Sequence, residues 1–520
     1  MLQITRGDYI MPCTTILVGK LASYDGSTII ARNDDAGADH LMPKKCSVIH
    51  PQEQPRVYRS VLSHVEIPLP ENPMRYTCVP NALTGKGVWA ASGVNEANVA
   101  MTATETITSN ARVLGADPLV TYVPAEKKRL VSDRTGDIDR SDASFQEDSC
   151  AASGAEIPGG IGEEDIVVLV LPYIRSAREG VLRLGQLLAQ YGTYEMNGIA
   201  FQDSDEIWWL ETIGGHHWIA KRVPDDQYVV MPNQQGIDEF DLEDAFGAQK
   251  EHLCSPDLRE FIKDNYLDLS LDGTFHARYA FGSHDDSDHT YNTCRAWAIE
   301  RWLNPRSFCW DGPDADYRPD DDDIPWSMRP ERKVTVEDVK YVLSGHYQGT
   351  EYDPYGKSGK GGLYRPVGVN RTDFLSIIQI RPYLPEAVRA LQWIAFASNV
   401  FNAIAPFYTN VEELPDYLTF TEDTVSTDSF YWSSRLIGAL ADAHFAKNAI
   451  HIERYQNLVF RRSHELVAKM DRAYLQEGHS LEEANLEIAE MLKEETARAL
   501  GNVLFESTKA MTNAFSRADA

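Results

Sequence analysis

"CTTILVGKLASYDGSTIIARNDD", residues 13–35, is the stretch on which the reading of the fold turns. Two β-branched runs, "CTTILVG" and "STIIARND", flank "LASYDGS", whose Asp25-Gly26 pair favours a turn, so residues 13–33 read as a β-hairpin. If residue 19 faces residue 27, Arg32 lies opposite Thr14, and "RNDD" (32–35) is brought beside Cys13 by local folding alone. A cysteine at the head of a first strand has four readings: buried core residue, metal ligand, half of a disulfide, or a nucleophile exposed once residues 1–12 are removed.

Further hairpins follow. "GVWAASGVNEANVAMTATET" (87–106) turns around Asn95 and Glu96, and "EIWWLETIGGHHWIAKRV" (206–223) turns at Gly214-Gly215, with "QYVVMPN" (227–233) as the next strand. Repeated hairpins point to antiparallel sheets. Between them, Ile174, Ala177, Val181, Leu184 and Leu188 recur at helical spacing. Residues 131–160, rich in Ser, Asp, Gly and Ala, and 303–332, with the acidic run Asp320–Asp323, read as surface insertions on a core spanning 13–380. The run lacks the spacing of a calcium loop. From residue 384 the pattern reads as helical, so 381–520 is expected to be a helical C-terminal region packed on the core. It ends in a helix behind the "SLEE" start at Ser480, with Ala484, Ile488, Met491 and Leu492 as its apolar stripe.

Bulk properties narrow the function. The 520 residues are 43% hydrophobic and 24% charged, as in a soluble globular protein, and carry a net charge of −29. So negative a surface repels phosphates, which disfavours nucleic acid and anionic membranes as partners. Residues 1–12 hold no apolar stretch of signal-peptide length and no segment approaches a membrane span, so a cytoplasmic protein is expected. The seven cysteines form no C-x-x-C pair and are odd in number, which signals neither a zinc ribbon nor a disulfide framework. No metal or other cofactor is expected.

A thiol attacks as thiolate. If the chain is cut before Cys13, the new α-amine lies next to the sulfur and can serve as its base. No catalytic histidine is then needed, and His216 and His217, in a strand by this reading, are expected to be packing or surface residues.

Several ordered blocks carry a family resemblance: the 13–35 hairpin, "GVNEANVAMTATETI", "GADPLV", "GGIGEED", "YGTYEMNGIAF", "GHHWIAKRVPDD", "HYQGTEYDPYG" and "NRTDFLSIIQIRPYLP". From Cys13 to beyond residue 410 the chain resembles the cysteine-dependent dipeptidases of the peptidase D family, among the N-terminal nucleophile hydrolases. The resemblance implies an α+β fold, a four-layer αββα sandwich, in which an N-terminal Cys13 cleaves dipeptides. It implies that Arg32 lowers the thiol pKa, that Asp35 orients the α-amine, a role for which the adjacent Asp34 competes, that Asn233 donates to the oxyanion and that Arg295 completes the site. Where related acylases carry a second Asn this chain has Glu105, and Glu105 or Glu96 is a candidate for the free ammonium of a dipeptide. Residues 1–12 become a leader or propeptide; a start at Met11 would leave Pro12 still blocking the amine. The alternatives are an N-acyl amide hydrolase of the penicillin V acylase or bile-salt hydrolase type, and a noncatalytic scaffold of this fold. The amphipathic C-terminal helices leave room for a homo-oligomer.

Overall fold

Two antiparallel sheets carry the chain in the computed structural model, which describes residues 13–37, 41–83, 85, 87–125 and 155–512. The expected leader at 1–12 and most of the 131–160 insertion lie outside the described residues.

The first sheet has seven strands, in spatial order Ser327–Met328, Tyr228–Met231, Thr14–Val18, Thr28–Asp35, Thr372–Ile380, Ala390–Phe396 and Ala405–Tyr408. The second has eight, from His252–Cys254 through Trp218–Arg222, Ile207–Thr212, Asn197–Gln202, Ala100–Thr106, Ser92–Asn95 and Tyr76–Cys78 to Ser47–Ile49. All three expected hairpins are present. Strands Thr14–Val18 and Thr28–Asp35 are buried along their whole length. That is why their apolar residues run together instead of alternating: each strand has a core on both faces.

Those faces belong to different cores. Leu17 and Ile30 join Val94, Ala200, Trp209 and Ile219 of the second sheet in one cluster. Ile16, Val18, Ile29 and Ala31 point the other way, into a cluster with the C-terminal helices. A third cluster lies between the second sheet and helices Glu163–Val170 and Ala177–Tyr191. The latter helix forms as its spacing predicts, with Ser176 accepting from Glu179 N–H at its start.

Three sequence expectations are corrected. The hairpin pairs Thr15 with Arg32 and Thr14 with Asn33, one residue away from the expected register. Asp25 accepts from the Ser27 N–H at 3.1 Å and from its hydroxyl at 2.9 Å, with Gly26 at φ 86°, so Ser27 belongs to the turn, the strand starts at Thr28 and the first hairpin pair is Val18 with Ile29. Second, the segment after residue 384 supplies the strands Ala390–Phe396 and Ala405–Tyr408 before the long helices Phe430–Asp442, Phe445–Glu477 and Leu481–Lys509 begin. A strand buried on both faces is continuously apolar, and helical spacing can be found in any such run. Third, His216 and His217 lie between strands rather than within one. Asp117 accepts from both of their backbone N–H groups, at 2.7 and 3.0 Å, and faces both ring Nδ1 atoms, at 3.0 and 2.7 Å.

Residues 303–332 also do more than loop: Ser327–Met328 is the edge strand, and Trp310, Ile324 and Trp326 are buried. The acidic run stays near the surface, where Arg278 donates to the carbonyls of Asp322 and Ile324. Ser480 caps the last helix, and Ala484, Ile488, Met491 and Leu492 are buried on its inner side. No helix among the described residues is long and apolar enough to cross a membrane.

Candidate active site

Cys13 stands at the head of the first strand and is fully buried. Residues directly opposite in an antiparallel pair share a face. The observed register, continued one step from Thr14 and Asn33, sets Cys13 against Asp34, with Arg32 on the same face. Asn33 and Asp35 face the other way. A slip of one residue therefore decides which carboxylate meets the sulfur.

Arg32 Nη2 lies 2.9 Å from Cys13 Sγ, 2.9 Å from Asp34 Oδ1 and 2.8 Å from Glu163 Oε1. Its Nη1 donates to the Ala91 carbonyl at 3.3 Å. Asp34 Oδ1 is 3.9 Å from the sulfur, and Asp34 Oδ2 pairs with Lys44 Nζ at 2.9 Å. Burial pushes the Asp34 carboxyl up, but Lys44 and Arg32 outweigh it and hold the group below its ordinary value. Two cations and two carboxylates thus close a buried network around the thiol.

The backbone side of Cys13 is held from another direction. Strand Tyr228–Met231 pairs Met231 with Thr15, which delivers Asn233 to this end of the sheet. Helix Thr293–Leu303 supplies the fully buried Arg295. Arg295 Nη1 donates to the Cys13 carbonyl and, at 2.6 Å, to Thr14 Oγ1. Its Nη2 donates to Asn233 Oδ1 at 2.6 Å and Asn292 Oδ1 at 2.7 Å. Asn233 Nδ2 donates to the Thr106 carbonyl at 2.9 Å. Cys13, Arg32, Asn233 and Arg295, named from sequence, are therefore brought together.

The remaining named residues fall elsewhere. Asp35 accepts from Arg365 Nη2 at 2.6 Å and from Thr372 Oγ1 at 2.5 Å, on the far face of its strand. Glu96 is exposed in the turn after Ser92–Asn95, beside Asn98, whose side chain donates to the Glu386 carbonyl. Ser92 itself meets Ser376, the partner of Arg32, so Glu96 lies at the opposite end of its strand from the thiol. Glu105 pairs through its backbone with Gly198; its side chain lies outside those described.

Lys44 and Glu163 were missed. Lys44 carries no local signal, whereas Glu163 sits in "GGIGEED", a block already marked by its resemblance. At the start of its helix the Gly162 N–H donates to Asp165 Oδ2 at 3.0 Å, and the Glu163 N–H donates to Glu195 Oε1 at 2.6 Å. Among the described residues no group of three or more His, Cys, Asp or Glu is arranged to hold a metal ion.

A buried thiol thus lies against an arginine at the head of the first strand, and Arg295, which also meets Asn233, holds its backbone carbonyl. The model of Peptidase family C69 matches residues 12–457, and the chain belongs to that family. It is 51% identical to a dipeptidase of Bifidobacterium longum, over 98% of this chain and all of that protein. It is 48% identical to a probable dipeptidase A of Streptococcus pyogenes serotype M3, again over 98% of this chain and all of the relative. Dipeptidase A of Lactobacillus helveticus is 38% identical, over 96% of this chain and 98% of its own length.

Proposed function

We propose that the protein is a cysteine-type dipeptidase in which Cys13 is the nucleophile, released as the first residue of the mature chain by removal of residues 1–12. The family and the relatives' names support the reaction. The observation that carries the mechanism is the 2.9 Å contact between Arg32 Nη2 and Cys13 Sγ, since a guanidinium at that range favours thiolate.

In this reading the α-amine of Cys13 takes the thiol proton and the thiolate attacks the dipeptide carbonyl. A C–S bond forms, Asn233 Nδ2 turns to the oxyanion, and the leaving amino acid departs with the proton from the α-ammonium. Water then attacks the thioester, the α-amine accepts its proton, and the C–S bond breaks. Arg295 fixes the Cys13 carbonyl and orients Asn233. Asp34 holds Arg32 against the sulfur, while Asp35 braces the strand through Arg365 and Thr372. The three hydrophobic clusters, helix on sheet, sheet on sheet and sheet on helix, support an αββα sandwich of the N-terminal nucleophile type.

N-terminal sequencing of purified protein, beside a Cys13→Ala variant, tests the proposal. Wild type should start at Cys13 and hydrolyse unblocked dipeptides, and the variant should do neither. Turnover by a chain that retains residues before Cys13 would overturn it.

A further inference from the structure

A dipeptide differs from an N-acyl amide by a free ammonium two bonds from the scissile carbonyl carbon, so a dipeptidase needs an acceptor for that charge close to its nucleophile. We infer that Glu163 and Glu195, with Asn197 beside them, form the subsite that binds the substrate ammonium; this rests on the dipeptidase reading above.

Position comes first. Glu163 Oε1 meets the same Arg32 nitrogen that meets the sulfur, which sets the Glu163 carboxylate within two hydrogen-bond lengths of Sγ. An ammonium attached next to the attacked carbonyl has that reach. Glu195 is tied to Glu163 through the Glu163 N–H at 2.6 Å, so the two side chains converge at the start of one helix. Its positive end favours carboxylates there.

Unused acceptors come second. Among the described residues Arg32 takes only Oε1 of Glu163, and the Glu163 N–H takes only Oε1 of Glu195. The neighbouring acids are committed elsewhere: Glu164 to Ser60 and Tyr194, Asp165 to Tyr58 and the Gly162 N–H.

A third observation is independent of the acids. Asn197 is fully buried, yet among the described residues neither its amide nitrogen nor its amide oxygen makes a hydrogen bond of normal distance and angle. A buried amide left without partners is costly unless a ligand completes it. It pairs across the sheet with Thr106, whose carbonyl holds Asn233 Nδ2, so it borders the oxyanion residue on one side. On the other it lies close enough to Glu195 to favour that group's charged form. Burial, with Glu163 and Glu164 nearby, pushes the Glu195 carboxyl well above its usual range. An ammonium offers three N–H donors to this set of oxygens.

The test compares alanyl-alanine with N-propionyl-alanine, which is the same molecule without the amine. Wild type should prefer alanyl-alanine in kcat/KM by about 100-fold or more, and Glu195→Gln should cut that ratio by about 10- to 100-fold, with Glu195→Asp in between. Mass-mapped alkylation of Cys13 should be unchanged in Glu195→Gln, since among the described residues the hydrogen bonds of Arg32 Nη2 run to Cys13, Asp34 and Glu163, and Glu195 joins them only through the Glu163 N–H. If Glu195→Gln fails to fold, Asn197→Ser carries the test with the same expected fall. A wild-type ratio near one, or variants that keep the wild-type ratio, overturns the subsite while leaving the dipeptidase reading intact. A wild-type enzyme that cleaves no unblocked dipeptide overturns that reading as well.

Discussion

Arg32 and Cys13 meet through Nη2 and Sγ at 2.9 Å in a place fully shielded from water. The same nitrogen serves Asp34 and Glu163, so the cation that favours thiolate is itself held by two carboxylates. Replacing Arg32 by Met should slow alkylation of Cys13 by iodoacetamide at neutral pH about tenfold or more. Peptide mapping is required because Cys309 is exposed. Arg32→Lys should recover part of the rate by keeping the charge, and a rate in Arg32→Met equal to wild type would refute the role.

Lys44 completes the network from the other side, with its Nζ 2.9 Å from Asp34 Oδ2 and both side chains buried. Removing one partner of a buried pair leaves a charge without compensation, so Lys44→Met should lower stability by about 3–5 kcal/mol in denaturant unfolding. The double variant Lys44→Met/Asp34→Leu should recover part of that loss. If it does not, packing of the Lys44 stem dominates over its charge.

Asn233 donates to the Thr106 carbonyl and accepts from Arg295, which leaves it poised at the strand end beside Cys13. Asn233→Ala should lower kcat by about 100- to 1,000-fold with little change in KM, the pattern of an interaction made in the transition state. A rise in KM at constant kcat would instead make Asn233 a binding residue.

Lys340 is buried and donates to the Asn399 carbonyl at 2.9 Å; burial pushes its ammonium down to about 7 from 10.5. Between those values the unfolded chain binds a proton that the folded chain lacks, so folding stability should rise as pH increases from about 7 to about 10. Below pH 7 both states are charged and the folded one bears the cost of burying that charge. Lys340→Met should abolish this part of the pH dependence and stabilise the protein near pH 6, as read by urea midpoints across the range.

The three hairpins and the amphipathic helices were legible from turn residues and periodicity, because those signals are local. Cys13, Arg32, Asn233 and Arg295 were legible once ordered motifs marked them. The strand Ala390–Phe396 was not, since a run buried on two faces carries no alternation to read.

What lay beyond local reading were the choices that depend on register and on distant chain. Asp34 rather than Asp35 faces the thiol because one turn residue moved the pairing by a single step, and adjacent strand positions point to opposite faces. Lys44 comes from a segment with no sequence signal, and Glu163 and Glu195 from blocks that the resemblance marked without singling out either residue; tertiary packing brings all three towards Cys13. The chain's local chemistry thus specified the hairpin that carries Cys13 at its head. The charges that surround Cys13 were set by packing, since burial is what forces each of them to find a partner.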